Sequence, residues 1–198
     1  TNNIGISKEA FMWDNEKVVL GVCGCLYAYK AADLAALLLR HGFDVYPVMT
    51  PSASSIIAPA TLEDITNNPC PVEMFKEGPN QPYKTLATGA KVLLIAPASA
   101  NMLAKIAHGM ADDLISCTAL ACDCIKLVAP SMLQNMHNNP AVQQNLARLR
   151  ELGYKIIPAG PDGHMAPPET VVEYLLNELT PQPPAAPVPP PPPPPVGY

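Results

Sequence analysis

The most constraining stretch of this chain is a continuous apolar run that ends in a cluster of small residues. It reads Val92-Leu-Leu-Ile-Ala96, then Pro97-Ala-Ser-Ala-Asn101, then Met102-Leu-Ala-Lys-Ile-Ala-His-Gly-Met-Ala-Asp-Asp-Leu114. An uninterrupted apolar run is the pattern of a strand buried on both faces, as in parallel sheets covered by helices. The run is expected to break at Pro97, with Ser99 and Asn101 at the turn into a helix from about Ala100. A strand that ends in small residues at a helix start leaves backbone N–H groups open to a phosphate-bearing ligand.

The flanking sequence repeats this grammar. Val18 to Val22 is a β-type run ending in Gly21-Val-Cys-Gly-Cys25, and Tyr27 to His41 reads as a helix with Ala31, Leu34, Ala35, Leu38 and Leu39 on one face. Gly42 is placed to cap it, with His41 where a cation favours the helix dipole. Val45 to Met49 is the next strand, and Thr50-Pro-Ser-Ala-Ser54 opens a short helix. Strand, helix and strand within about thirty residues make a βαβ unit, hence a parallel sheet with right-handed crossovers. Residues 58–82 are expected to form a long irregular excursion. Beyond the central strand come a strand at Ile125 to Ala129, a helix from Pro140 to Leu152 closed by Gly153, and a strand from Lys155 to Ile157. A turn at Gly160-Pro-Asp-Gly163 and a helix from Pro168 to Leu179 complete the pattern. The expected division is an arm over 1–16, a folded domain over 17–180 and a proline-rich tail over 181–198.

Composition narrows the function classes. Charged residues make up 15% of the 198 residues and hydrophobic ones 48%, which fits a protein that covers surface by self-association. A formal charge of −5 and no Lys/Arg run argue against nucleic acid as a partner. No apolar run approaches the ~20 residues that span a bilayer, and the first residues lack the layout of a signal peptide. Reduced thiols in a cytoplasmic protein are therefore expected for Cys23, Cys25, Cys70, Cys117, Cys122 and Cys124. Cys23-Gly-Cys25 and Cys122-Asp-Cys124 are C-x-C pairs without the spacing of zinc or redox motifs, so no metal is expected. The tail, PQPPAAPVPPPPPPPVGY, is polyproline II by composition: a spacer, or a ligand for a neighbouring subunit or an aromatic-grooved partner domain.

The order of these motifs resembles the homo-oligomeric flavin-containing cysteine decarboxylases, the family that includes the phosphopantothenoylcysteine and lantibiotic peptidyl-cysteine enzymes. The resemblance covers about Lys17 to Leu179. It is carried by Gly21-Val-Cys-Gly-Cys-Leu-Tyr-Ala-Tyr-Lys30, by Val48-Met-Thr-Pro-Ser52, by Ala129-Pro-Ser-Met132, and most specifically by Ala96-Pro-Ala-Ser-Ala-Asn-Met-Leu-Ala-Lys-Ile-Ala-His-Gly-Met-Ala-Asp112. It implies an α/β, Rossmann-like or flavodoxin-like three-layer sandwich, a parallel sheet with helices on both faces. It also implies FMN at the carboxyl ends of the strands, in a trimer or a multiple of trimers. Carried over residue by residue, it nominates Gly24, Cys25 and Leu26 in the first loop, Ser52, Ala53 and Ser54 in the second, Ser99, Ala100, Asn101 and Met102 in the third, and Ser131 in the fourth. Short hydroxyl side chains and backbone N–H groups suit a phosphate, and apolar walls suit a flavin ring.

The resemblance also locates two departures. In the family, a histidine before the central strand and an asparagine after the next one serve oxidative decarboxylation of a cysteine carboxylate on a small-molecule or peptide thiol. Those positions are Tyr83 and Leu133 here. A tyrosine hydroxyl, ordinarily titrating near ~10, is a poor base at neutral pH. Leucine cannot hydrogen-bond a carboxylate. In the loop from Ala159 to Met165, which resembles the substrate-covering loop, Ala159 replaces a cysteine of the coenzyme A enzymes, and His164 is the best-placed substitute base. Two readings follow: a flavin-binding protein with a different or lost activity, acting as a partner subunit, or an FMN-dependent cysteine decarboxylase with altered site residues.

Overall fold

In the computed structural model, which describes residues 13, 15–75 and 81–180, the apolar runs become five short parallel strands. They are β1 (Lys17–Val22), β2 (Asp44–Met49), β3 (Val92–Ala98), β4 (Ile125–Pro130) and β5 (Lys155–Ile156), in the order β2-β1-β3-β4-β5. Every strand pair is parallel, and β3 lies at the centre with all seven residues buried.

The helices are α1 (Ala31–Arg40), α2 (Pro59–Thr66), α3 (Pro82–Ala87), α4 (Ala100–Ala107), α5 (Leu114–Ala121), α6 (Gln134–His137), α7 (Pro140–Glu151) and α8 (Pro168–Leu179). Alternation along the strands divides the core in two. Val18, Leu20, Val22, Leu94 and Ala96 face α1, α2 and α8, where Leu34, Leu38, Leu62, Val171 and Leu175 are buried. Val19, Leu93 and Ile95 face the other side, against Leu86, Leu103, Ile106, Ile115, Leu146 and Leu149. The three-layer α/β sandwich is therefore as expected from the sequence.

Three local expectations change, and one further helix had no expectation. The central strand does not stop at Pro97 but runs through it to Ala98, with a cis Ala96–Pro97 bond and a register shift against β4 between Ile95 and Ala98. A proline supplies no N–H, and an irregularity in the ladder is where a strand tolerates one. The helix expected over Tyr27 to His41 is a 3-10 turn, Leu26–Lys30, followed by α1. The excursion over 58–82 contains α2, which Pro59 opens and the left-handed Asn67 closes. Helix α5 has no apolar stripe to reveal it because apolar residues stand on both its buried face (Leu114, Ile115, Ala119) and its exposed one (Leu120, Ala121), yet Asp113 and Ser116 form a capping box at its start.

The signature after β3 has a mechanical basis in this region. Lys105 on α4 reaches Asp112 at 2.8 Å and Asp113 at 2.7 Å, and Asp113 accepts from Ser116 N at 2.8 Å. One lysine thus ties the end of α4 to the cap of α5. Arg148 of α7 donates to Ala107 O at 2.6 Å, and His108 closes α4 with Nδ1 2.9 Å from Ala104 O. Among the described residues, no helix is long and apolar enough to cross a membrane. The proline-rich tail and most of the expected arm lie outside the described residues.

Candidate functional site

Parallel strands deliver all their carboxyl ends to one pole, so the loops after β1, β2, β3, β4 and β5 converge there. The first and second loops are locked together. Gly24 N donates to Thr50 Oγ1 at 3.1 Å, Thr50 N donates to Val22 O at 3.0 Å, and the Thr50 and Ser52 hydroxyls lie 3.1 Å apart. A Cβ at residue 24 would fall 2.2 Å from Ser52 Oγ and 2.7 Å from the Ser52 backbone carbon. Only glycine permits this approach. Ala53 is buried and its N–H turns back to Thr50, while Ser54 Oγ donates to Pro51 O at 2.7 Å. Thr50, the hub of these bonds, was not among the candidate site residues; its place directly after an apolar run and before Pro51 was the available signal.

The third and fourth loops close on the first. Cys23 N donates to Pro97 O at 3.1 Å, and Ser131 N donates to Ala98 O at 2.9 Å. The Cys23 thiol, fully buried, is pushed up to about 12 mainly by that burial, so it is a core thiol. Ser99 caps α4 by accepting from Met102 N at 3.2 Å; Met102 is buried, Ala100 half-buried and Asn101 exposed. Ser131 is 1% exposed, and its Oγ has no hydrogen-bond partner among the described residues. The Cys25 thiol, raised by burial, lies beside it and is only a weak acceptor, so the hydroxyl lacks an oxygen or nitrogen partner among the described residues. A buried hydroxyl without a partner is uncommon in folded proteins and calls for an explanation such as a ligand.

The loop after β5 covers this group. Met132 N donates to Gly163 O at 3.0 Å, and a Cβ at residue 163 would fall 2.7 Å from Met132 O. The His164 ring stacks on Tyr27 with centroids 4.4 Å apart and planes 13° apart. His164 therefore meets the first loop, and Tyr27, an aromatic just past a strand end, is a contact that pattern reading passed over.

Tyr83 and Leu133, the two positions singled out by the resemblance, lie on different elements. Leu133 is 60% exposed at the start of α6, two residues from Ser131. Tyr83 is half-buried near the start of α3, packed against the second core face, and its hydroxyl donates to Gln81 Oε1 at 2.7 Å. The end of α3 is held by Lys17, whose Nζ donates to Thr85 O and Thr88 O at 2.7 and 3.0 Å. Lys17 opens β1, so the α3 start points towards the carboxyl pole. Leu26, 70% exposed, flanks the first loop.

A family profile described as Flavoprotein matches residues 6–180. The chain is 42% identical over 146 residues to the "Probable phosphopantothenoylcysteine decarboxylase" of Streptococcus mutans, a match spanning 72% of this chain and 82% of that protein. It is 36% identical to the coenzyme A biosynthesis bifunctional protein CoaBC of Vibrio vulnificus over 71% of this chain, but spans only 36% of that longer protein. The crystal structure of the FMN-dependent cysteine decarboxylase SpaF superposes with a TM-score of 0.73 at 33% identity, covering 85% of this chain and 98% of SpaF. With the profile spanning nearly the whole folded part, this chain belongs to the flavoprotein family.

Proposed function

We propose that the chain holds FMN at the carboxyl pole and that its decarboxylation chemistry is altered or lost, leaving a flavin-binding partner subunit or an enzyme of different activity. The cofactor part rests on fit. The Gly24 cradle admits close approach, Ser52, Ser54 and Ser99 bring short hydroxyls to the strand ends, and Ser131 carries a buried hydroxyl in want of a partner. Gly24, Cys25, Leu26, Ala53, Ala100, Asn101 and Met102 complete the proposed set. When bound, FMN supplies the two-electron redox step.

The observation that carries the altered chemistry is Leu133. Its exposed side chain stands two residues from Ser131, at the position where the family places an asparagine for the substrate carboxylate. A hydrocarbon there neither donates to that carboxylate nor offsets its desolvation. Tyr83 spends its hydroxyl on Gln81. His164, stacked on Tyr27, holds the covering loop to the first loop rather than standing free as a base. A second reading, an oxidative decarboxylase of phosphopantothenoylcysteine or of a peptide ending in cysteine, is favoured by the 42% identity to the streptococcal protein.

Self-association into a trimer or a multiple of trimers belongs to either reading. The exposed Leu26, Tyr29, Leu133 and Met136 give the rim of the cradle an apolar surface for a second copy. A cytoplasmic location and a subunit- or partner-binding role for the tail complete the proposal. The deciding experiment is anaerobic incubation of the yellow, FMN-loaded protein with each thiol substrate. Retained flavin without release of carbon dioxide is the expected result, and Tyr83→His with Leu133→Asn should raise turnover. Release by the unaltered protein establishes the second reading, and a colourless protein indifferent to added FMN overturns both.

A further inference from the structure

The opposite pole of the sheet carries a second group of reactive side chains. Between the segments leading into β3, β4 and β5 lies a cleft of about 530 Å³, lined by Lys91, Asp123, Cys124, Lys126, Leu152 and Lys155. Three lysines and one carboxylate line it, two of the lysines facing acids outside the lining. Lys91 reaches Glu16 only at 3.9 Å and Lys155 meets Glu178 at 3.0 Å. Lys126 forms no ion pair among the described residues, and its Nζ lies 5.6 Å from the Tyr154 ring centre. Cys124 is half-buried in this cleft. Cys122, buried, closes α5 with its N–H on Thr118 O at 2.9 Å, so one exposed residue, Asp123, separates the two thiols at the turn into β4.

The thiols differ in chemistry. The Cys122 thiol interacting with its sulfur holds Cys124 below an ordinary cysteine, aided by the Lys126 charge and opposed by partial burial. Cys122 is pushed up by the same contact and by burial. A half-buried thiol of lowered pKa in a lysine-lined cleft, with a second cysteine two residues before it in the chain, is the arrangement of an attacking and a resolving cysteine.

We propose that Cys124 and Cys122 form a dithiol exchange site for anionic low-molecular-weight disulfides, at the pole remote from the cradle and independent of what the cradle binds. The Cys124 thiolate attacks one sulfur of a disulfide RSSR, forming a mixed disulfide and releasing RS⁻. Cys122 then loses its proton to solvent, and its sulfur attacks the Cys124 sulfur and displaces the second RS⁻. Two protein thiols and one RSSR become one Cys122–Cys124 disulfide and two RSH, with two electrons passing to the small disulfide. The lysines concentrate the anionic reagent at the cleft.

The test exposes the reduced full chain to glutathione disulfide and maps the product by peptide mass. The unaltered protein should lose two hydrogens within the peptide holding Cys122 and Cys124 and retain no glutathione. Cys122→Ser, with Cys122→Ala as a second resolving-thiol variant, should trap one glutathione on Cys124. Lys126→Gln should slow the reaction with glutathione disulfide roughly tenfold and that with neutral hydroxyethyl disulfide less than about twofold. Preferential modification of Cys25 or Cys117, a bridge between two chains, or equal slowing for both reagents would overturn the assignment. So would a folded Cys122 variant that gains nothing at Cys124, folding being read from its circular dichroism.

Discussion

The two poles of the sheet are built from opposite materials, although the same five strands run through both. At the carboxyl pole, the residues just past the strands are small or hydroxylic: Gly24, Thr50, Ser52, Ser99 and Ser131. At the amino pole, lysines stand at or beside four strand starts: Lys17, Lys91, Lys126 and Lys155. A parallel sheet makes this separation possible, because every strand points the same way and each kind of flanking sequence collects at one end. Small residues let backbones approach each other and a ligand. Long lysines cover apolar strand ends with their stems and keep their charge in water. One pole is therefore shaped by close packing, the other by charge.

That contrast predicts a steep response where packing rules. Gly24→Ala should destabilise the chain by about 1–3 kcal/mol in urea unfolding and abolish FMN retention on gel filtration, because the added carbon meets Ser52. Ser52→Gly should not rescue it, since the backbone carbon of residue 52 is itself 2.7 Å from that position. A well-tolerated Gly24→Ala would break the picture of a close-packed cradle.

Between the poles, the α4–α5 tie should respond next. Asp113→Ala removes a helix cap and leaves Lys105 with Asp112 in place of two carboxylates, for a loss of about 1–2 kcal/mol measured by thermal or urea unfolding. The tie also has a pH signature. Lys105 is raised above its ordinary value by its hydrogen bonds to Asp112 and Asp113. Its contribution is thus fully present below the unfolded lysine pKa, near ~10.4, and is lost as pH rises through the raised folded value. Lys105→Met should flatten stability in that alkaline window, visible in unfolding midpoints taken on either side of it.

Ser131→Ala sharpens the comparison by separating fold from ligand. The Ser131 hydroxyl has no oxygen or nitrogen partner among the described residues, so unfolding of the flavin-free protein should be unchanged within about 0.5 kcal/mol, while FMN should bind about five- to tenfold more weakly by fluorescence titration. Equal losses in both would assign the hydroxyl to the fold alone. The smallest effect is expected at the cover: His164→Ala removes one stacked ring from Tyr27, worth about 0.5–1.5 kcal/mol, felt locally. Faster hydrogen exchange confined to residues 160–166 and the Tyr27 turn would register it.

Much of this architecture was legible because its periodicities were clean. The single apolar face of α1, the Pro140 and Pro168 helix starts and the apolar strand runs all appear where the pattern places them. Helix α5 was illegible by period because apolar residues occupy its exposed face as well as its buried one, and α2 because its polar sequence resembles a loop. Pro97 misled for a different reason: its missing N–H argues against a central strand, yet the ladder shifts register at that point. In the candidate site, the hydroxyl residues could be nominated from likeness, whereas Thr50 and Tyr27 act through contacts made across loops distant in sequence.

The amino-acid order by itself determined the alternation of strands and helices, the parallel sheet and the placement of small residues after strands. These depend on periodicity and local sterics, which are written within a few residues. The tertiary structure alone decided that Gly24 must clear Ser52, that the Ser131 hydroxyl is buried without an oxygen or nitrogen partner among the described residues, and that Cys124 shares a cleft with Lys91, Lys126 and Lys155. Those facts depend on which loops the sheet order brings together, and distance through space is set by packing rather than by separation along the chain.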